Sequence, residues 1–285
     1  MDIWYNFNKV LKPLYGRGLG QVPGVEKVYR FIYHLLPKDS ILKMHGMEWE
    51  VGKDADISAA ALALRSWEEY EMNLFLSAIK PGMTVVDVGA SFGFYTCLAA
   101  GAVGPLGRVY SFEPFIPTYN LLLRNIERNG LKNIVASSKA ISSKTGIMDT
   151  YVNRSEAGII AGPQVTPSGI VPIQVPCVRL DDILTSPIGV VKIDAEGYDL
   201  HVVQGMERLI EENKNLVLLI EVGPKWLEYA GSSMELLLGT LERSFVLYLV
   251  KEREETLELV DSEYSNVRKE CSGLVRTGNL YCKRK

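Results

Sequence analysis

Val85-Val86-Asp87-Val88-Gly89-Ala90-Ser91-Phe92-Gly93-Phe94-Tyr95-Thr96 reads as a buried strand carrying an acid, a glycine-rich turn, and a small-residue helix continuing through Ala99 and Ala100. In a doubly wound sheet, ligands bind beyond the carboxyl ends of the strands, where the backbone N–H groups of such a turn face them. Gly89 and Gly93 let backbone approach a ligand with no Cβ in the way. A turn of this kind is common in α/β proteins, so its neighbours have to say which ligand it serves.

Outward from this stretch the chain alternates strand and helix. Strands are predicted at 84–88, 108–112, 133–138, 190–194 and 216–221. Continuous apolar runs between helices indicate a parallel sheet covered on both faces. Trp67, Glu71, Leu74, Phe75 and Ala78 line one side of a helix that Pro81-Gly82 ends, and Tyr119, Leu122, Leu123 and Ile126 mark another, closed by Asn129-Gly130. Ser232-x-x-Glu235 is read as a capping box opening a late helix, and 245–250 and 279–282 as closing strands. The Gly- and Pro-rich stretch 153–178 is read as a long loop or an inserted hairpin. Residues 1–60 are expected to form an accessory segment and 61–285 the main domain. Within the segment, Val25, Val28, Tyr29, Ile32, Leu35 and Leu36 recur at helical spacing, and 41–51 alternates like a hairpin.

Glu113 ends the second strand in Val109-Tyr110-Ser111-Phe112-Glu113-Pro114. It lies about 20 residues past the glycine turn, where an acid typically accepts from ribose hydroxyls. A nicotinamide dinucleotide needs G-x-G-x-x-G, but the second and third glycine positions hold Ser91 and Phe94. The missing second glycine removes the room for a pyrophosphate, and Asp87 would repel its charge. An acid there suits a cationic, phosphate-free nucleoside. S-adenosylmethionine, with a sulfonium and an ammonium, is such a ligand.

The sequence resembles the class I S-adenosylmethionine-dependent methyltransferases and, more narrowly, the FkbM family. The resemblance rests on Glu69-Tyr70-Glu71, Asp87-Val88-Gly89-Ala90-Ser91-Phe92-Gly93, Phe112-Glu113-Pro114, Leu180-Asp181-Asp182, Lys192-Ile193-Asp194-Ala195-Glu196-Gly197 and Ile220-Glu221-Val222, in that order. It departs from the family at Ser91, where Asn is frequent, and at Ala195, where a branched apolar residue is usual. The resemblance implies a Rossmann-like, seven-stranded, mostly parallel α/β sheet with one late antiparallel strand. It implies that Asp87, Gly89, Ala90, Ser91 and Gly93 line the methionine side, and that Glu113 and Pro114 sit at the ribose. Ser138 would lie near the adenine amine, Phe115 on the adenine face or in the core, and Tyr70 and Glu71 over the methionine end. The family's acceptors include sugar, uronic acid and polyketide-type oxygens.

Asp194 and Glu196 follow the fourth strand, and Glu221 ends the fifth, so all three are expected at one crevice. A hydroxyl acceptor must lose its proton, and Glu196 is the leading base, with Asp194 a ligand to the cofactor ammonium or to the acceptor. The alternatives are a divalent cation on Asp194, Glu196 and Glu221, and capping of the helix starting near Asp199 by Asp194 or Glu196. Strand-end acids are common without metal, and no metal is assigned. His201 is read as a packed or surface histidine. No Asn/Asp-Pro-Pro-aromatic tetrapeptide or Pro-Cys pair follows the fourth strand, which disfavours amino-group methylation and a covalent cysteine mechanism.

The 285 residues are 47% hydrophobic and 23% charged, enough apolar material for a full core. The net charge of -3 supplies no global field for nucleic acid. Four scattered cysteines, with no CxxC, indicate neither a zinc site nor a disulfide framework. The start, Met1-Asp2-Ile3-Trp4-Tyr5-Asn6, lacks the basic and apolar signature of a signal peptide, and no stretch reads as a spanning helix, so a cytoplasmic protein is expected. The expected reaction is methyl transfer to oxygen of a small-molecule or carbohydrate acceptor. The rivals are an RNA or protein methyltransferase, a non-catalytic cofactor-binding scaffold, and a nicotinamide oxidoreductase.

Overall fold

The computed structural model describes residues 41–50, 69–153, 158–160, 170–185, 187–272 and 277–285. The helix expected around Val25–Leu36 and Trp67 lie outside these residues. Three sheets form, of two, eight and four strands.

The large sheet carries β3 (Thr84–Val88), β4 (Arg108–Phe112), β5 (Ile134–Ser137), β10 (Val190–Ile193), β11 (Val217–Val222), β12 (Phe245–Lys251), β13 (Thr256–Leu259) and β14 (Gly278–Arg284). Its order is β13-β12-β14-β11-β10-β3-β4-β5. Strands β5, β4, β3, β10 and β11 run parallel, whereas β14 inserts antiparallel between β11 and β12. The seven expected strands are all present. An eighth, β13, extends the edge as a hairpin with β12.

Alternation along the strands splits the core in two. Val86, Val88, Val191, Ile193, Leu218 and Ile220 face a cluster with Leu200, Leu209, Leu237 and Leu241. These come from α5 (Asp199–Gln204), α6 (Glu207–Glu212) and α8 (Met234–Glu242). Val85, Val190 and Leu219 face the opposite cluster, with Phe75 of α1 (Glu69–Ala78) and Cys97 and Leu98 of α2 (Phe94–Val103). Period-two geometry then puts Asp87 and Lys192 on the α1–α2 face.

The expected hairpin is β1 (Ile41–Met44) against β2 (Met47–Glu50). It lies on the main domain: Trp49 is fully buried against Phe92 and Phe94. The Glu48 and Glu50 amides donate to Asn129 and Asn125, at the end of α3 (Ile116–Arg128).

Between β5 and β10 the chain builds the four-stranded sheet, β6 (Ala140–Ile141), β9 (Ile170–Val178), β7 (Gly146–Asn153) and β8 (Gly158–Ile160), in that spatial order. Part of the stretch read as a loop or hairpin is thus β8 and β9, the latter paired antiparallel with β7 over eight positions, Asn153↔Ile170 to Gly146↔Cys177. The short helices α4 (Leu180–Ile183) and α7 (Pro224–Tyr229), and α9 (Ser265–Glu270), complete the described elements.

One capping expectation is corrected. The cap of α8 is Ser233, whose Oγ accepts from Leu236 N–H at 3.1 Å, and Ser232 Oγ is buried with no hydrogen-bond partner among the described residues. Gly130, at φ +63°, follows the C-cap Asn129 of α3 as expected.

Candidate active site

The carboxyl ends of β3, β4, β10 and β11 open onto a cavity of about 230 Å³, roofed by the four-stranded sheet. Each strand end delivers its own chemistry. After β3 the chain must turn within van der Waals reach of the turn after β10, because a Cβ on Gly89 would lie 1.8 Å from the Asp194 carbonyl oxygen. Gly89, at φ +81°, meets both demands at no steric cost. Ser91 follows at φ +49°, with its Oγ buried and no hydrogen-bond partner among the described residues. Gly93, at φ +96°, serves packing: a Cβ there would meet Leu122 Cδ1 at 2.5 Å.

After β4, Glu113 is held by two backbone amides. Its Oε2 accepts from Ser91 N–H at 2.9 Å and its Oε1 from Phe115 N–H at 2.8 Å. These two bonds, one on each oxygen, orient the group.

After β10, Asp194 and Glu196 sit in a tight turn, with Glu196 at φ +49° and Gly197 at φ +100°. Asp199 braces it from below. Its Oδ1 accepts from Ala195 N–H at 2.9 Å and its Oδ2 from Gly197 N–H at 3.0 Å. Burial pushes the Asp199 carboxyl up to about 6, against the hydrogen bond from Ala195. The helix that Asp199 opens has Tyr198 at its N-cap and no side-chain cap hydrogen bond, so neither Asp194 nor Glu196 caps it. His201 packs between Ser143 Oγ and the Ala230 carbonyl, each at 3.4 Å.

Of the residues expected at the site, Gly89, Ser91, Glu113, Pro114, Asp194, Glu196 and Glu221 line the cavity. Ala90, Gly93, Ser138, Tyr70, Glu71 and Asp87 do not. Asp87 is 1% exposed and lies beneath the cavity, accepting from the Thr96 hydroxyl at 2.6 Å. Burial raises its pKa, opposed by Lys192 and by Thr96. Glu71 is buried too, with Tyr95 Oη donating to its Oε1 at 3.3 Å. The amides of Tyr70 and Glu71 donate to the Glu252 carboxylate, which pins this end of α1.

The wall of Ala140, Ile141, Met148, Thr150 and Val175, with Thr118 and Tyr198, was not singled out from sequence. Lys192 and Asp199 were not singled out either, although Lys192 carried a signal as a cation inside an apolar strand.

Four described lining residues are acidic (Glu113, Asp194, Glu196, Glu221) and none is basic. That field favours a cationic ligand and opposes a pyrophosphate. With the unpartnered Ser91 hydroxyl and the oriented Glu113, the donor set fits S-adenosylmethionine. Among the described residues no group of three or more His, Cys, Asp or Glu is placed to hold a metal ion. No described helix is long and apolar enough to cross a membrane.

Residues 87–247 match the family model described as the methyltransferase FkbM domain. The catalytic subunit of tRNA (adenine(58)-N(1))-methyltransferase from Yarrowia lipolytica is 33% identical over 63 residues, 22% of this chain and 16% of that protein. Protein-L-isoaspartate O-methyltransferase from Methanothrix thermoacetophila is 36% identical over 56 residues, 20% of this chain and 27% of its own. The chain therefore spans well under a third of either curated relative. Methyltransferase FkbM from Methylobacillus flagellatus is a similar solved structure, at 19% identity and a TM-score of 0.42 over 80% of this chain and 55% of that one.

Proposed function

Since the chain belongs to the FkbM methyltransferase family, with S-adenosylmethionine as its cofactor, we propose that it methylates an oxygen of a small-molecule or carbohydrate acceptor. The observation that carries this reading is the grouping of Asp194, Glu196 and Glu221 in one cavity with the Gly89–Ser91 turn and Glu113. Bound there, the cofactor supplies an electrophilic methyl on a sulfonium.

Glu113 would hold the ribose hydroxyls, and the Gly89–Ser91 turn the sulfur-bearing arm. Asp194 would take the ammonium. Glu196 would accept the proton of the acceptor hydroxyl, so that the oxygen is an alkoxide-like nucleophile as it is methylated. Most of the remaining acceleration is positioning. Met148, Val175, Ala140 and Ile141 give the acceptor an apolar wall, and Thr150 and Tyr198 add hydroxyls to it.

The test is a mass-spectrometric comparison of glycans and metabolites from cells carrying the wild-type gene or Glu196→Gln. A methyl ether or ester on a small molecule or sugar, present only with the wild type, is expected. Gene-dependent methyl groups confined to RNA or protein would overturn the acceptor class.

A further inference from the structure

Lys192 is an unusual residue for its place. Every residue of β10 is buried, and Lys192 is only 5% exposed at the centre of the sheet. Its Nζ donates to Asp194 Oδ2 at 3.1 Å and sits 4.5 Å from the Tyr95 ring centroid. Across the ladder it stands opposite Asp87 on β3. Through Tyr95, whose hydroxyl reaches Glu71, this polar cluster extends to α1.

A buried ammonium is costly, and replacing a buried ion pair by apolar residues is often neutral or stabilising. Stability alone therefore gives no reason for a lysine here. The reason lies in its partner. Asp194 lines the cavity, and its carboxylate is anchored at one oxygen only: Lys192 takes Oδ2, and Oδ1 has no hydrogen-bond partner among the described residues. The backbone of Asp194 is anchored as well, by its N–H to the Val88 carbonyl at 3.0 Å.

Resting on the function proposed above, we infer that Lys192 is a positioning residue that holds the Asp194 carboxylate in place and aimed at the ammonium of the cofactor. Tyr95 and Asp87 balance the lysine's charge, so that Asp194 keeps an oxygen for the ligand. Without the cation, Asp194 faces acids from every side: Asp87 of β3, Asp199 of α5, Glu196 of its own turn, Glu221 of β11 and, beyond Tyr95, Glu71 of α1.

The experiment is calorimetric titration of the full chain with two ligands. S-adenosylhomocysteine carries the amino-acid arm, and 5′-methylthioadenosine shares the adenosine and thioether but lacks the arm. Lys192→Met is expected to weaken S-adenosylhomocysteine about tenfold, the scale of one charge-assisted hydrogen bond. It should leave methylthioadenosine within about twofold. Asp194→Asn should do the same, and the double variant should be no weaker than either single one. Lys192→Met/Asp87→Asn, which removes the charge pair together, guards against misfolding and should show the same split between ligands.

Unchanged S-adenosylhomocysteine affinity in Lys192→Met overturns the assignment. So does an equal loss of both ligands in Lys192→Met/Asp87→Asn, which marks a structural role. A wild-type chain that binds neither ligand overturns the proposed function itself, and is distinguished from those outcomes by the first titration.

Discussion

Glu196 occupies a left-handed backbone conformation that a non-glycine residue adopts at some cost, and the two hydrogen bonds to Asp199 hold it there. Asp199 is thus the brace of the turn that carries Glu196, the base proposed above. Glu196→Gln keeps the size and removes the basicity. It should lower kcat by about 10²-fold or more while S-adenosylhomocysteine affinity stays within about twofold. Equal turnover would remove Glu196 from the chemistry. Asp199 gives a pH signature. Its folded-state carboxyl lies at about 6 against an ordinary 3.8, so the folded chain binds that proton more tightly than the unfolded one. Its stability contribution therefore grows as pH falls from above 6 towards 4, by about 3 kcal/mol in all, and is lost as pH rises through 6. Urea melts of wild type and Asp199→Asn at pH 7.5 and 5 should show the wild type gaining relative to the variant on acidification. A constant difference would place the titration elsewhere.

At the scale of elements, the contact between two turns matters most. Gly89→Ala would drive a Cβ into the Asp194 carbonyl from a positive φ, and neither backbone can yield without opening the β3–β10 ladder. A loss of about 3 kcal/mol in chemical denaturation is expected, together with S-adenosylhomocysteine binding. The α8 cap offers a sharper contrast. Ser233→Ala should cost about 1 kcal/mol, whereas Ser232→Ala, removing a buried hydroxyl with no partner, should be neutral or stabilising. The cap was misread by one residue because Ser232-x-x-Glu235 fits the capping-box pattern and Ser233-x-x-Leu236 does not, although Ser233 is the residue whose Oγ accepts from the N3 amide. The four-stranded sheet was hidden for a different reason. Its β6 is two residues long and β8 three, and β9 contains Pro172 and Pro176, which cannot donate to a ladder. Such a segment reads as loop until β7 is seen beside it. The β12–β13 hairpin was masked by the charged run of Lys251, Glu252, Arg253, Glu254 and Glu255 at its turn.

For the whole molecule, the parallel sheet was legible because its central strands β3, β10 and β11 are short, mostly apolar runs between helices and are buried almost throughout. The cavity was half legible. Residues in the turns, such as Gly89, Ser91, Glu113, Asp194 and Glu196, follow from strand ends and can be placed by counting. Side chains that reach the cavity from the second sheet, such as Met148 and Thr150, depend on how two sheets meet, and no local pattern records that. Asp87 shows the remaining gap: its motif located the strand end but not which face its carboxylate takes, and alternation sends it down beside Lys192. The molecule as it stands joins a cation-favouring, acid-lined cavity to a glycine turn that carries Ser91 where a dinucleotide turn has its second glycine. Calorimetric titration of the full chain with S-adenosylhomocysteine, alongside NADH and Glu113→Ala, tests this most directly. Saturable one-to-one binding of S-adenosylhomocysteine, weakened about 10²-fold in Glu113→Ala, is expected, with no heat from NADH. Binding of NADH in its place would contradict the account.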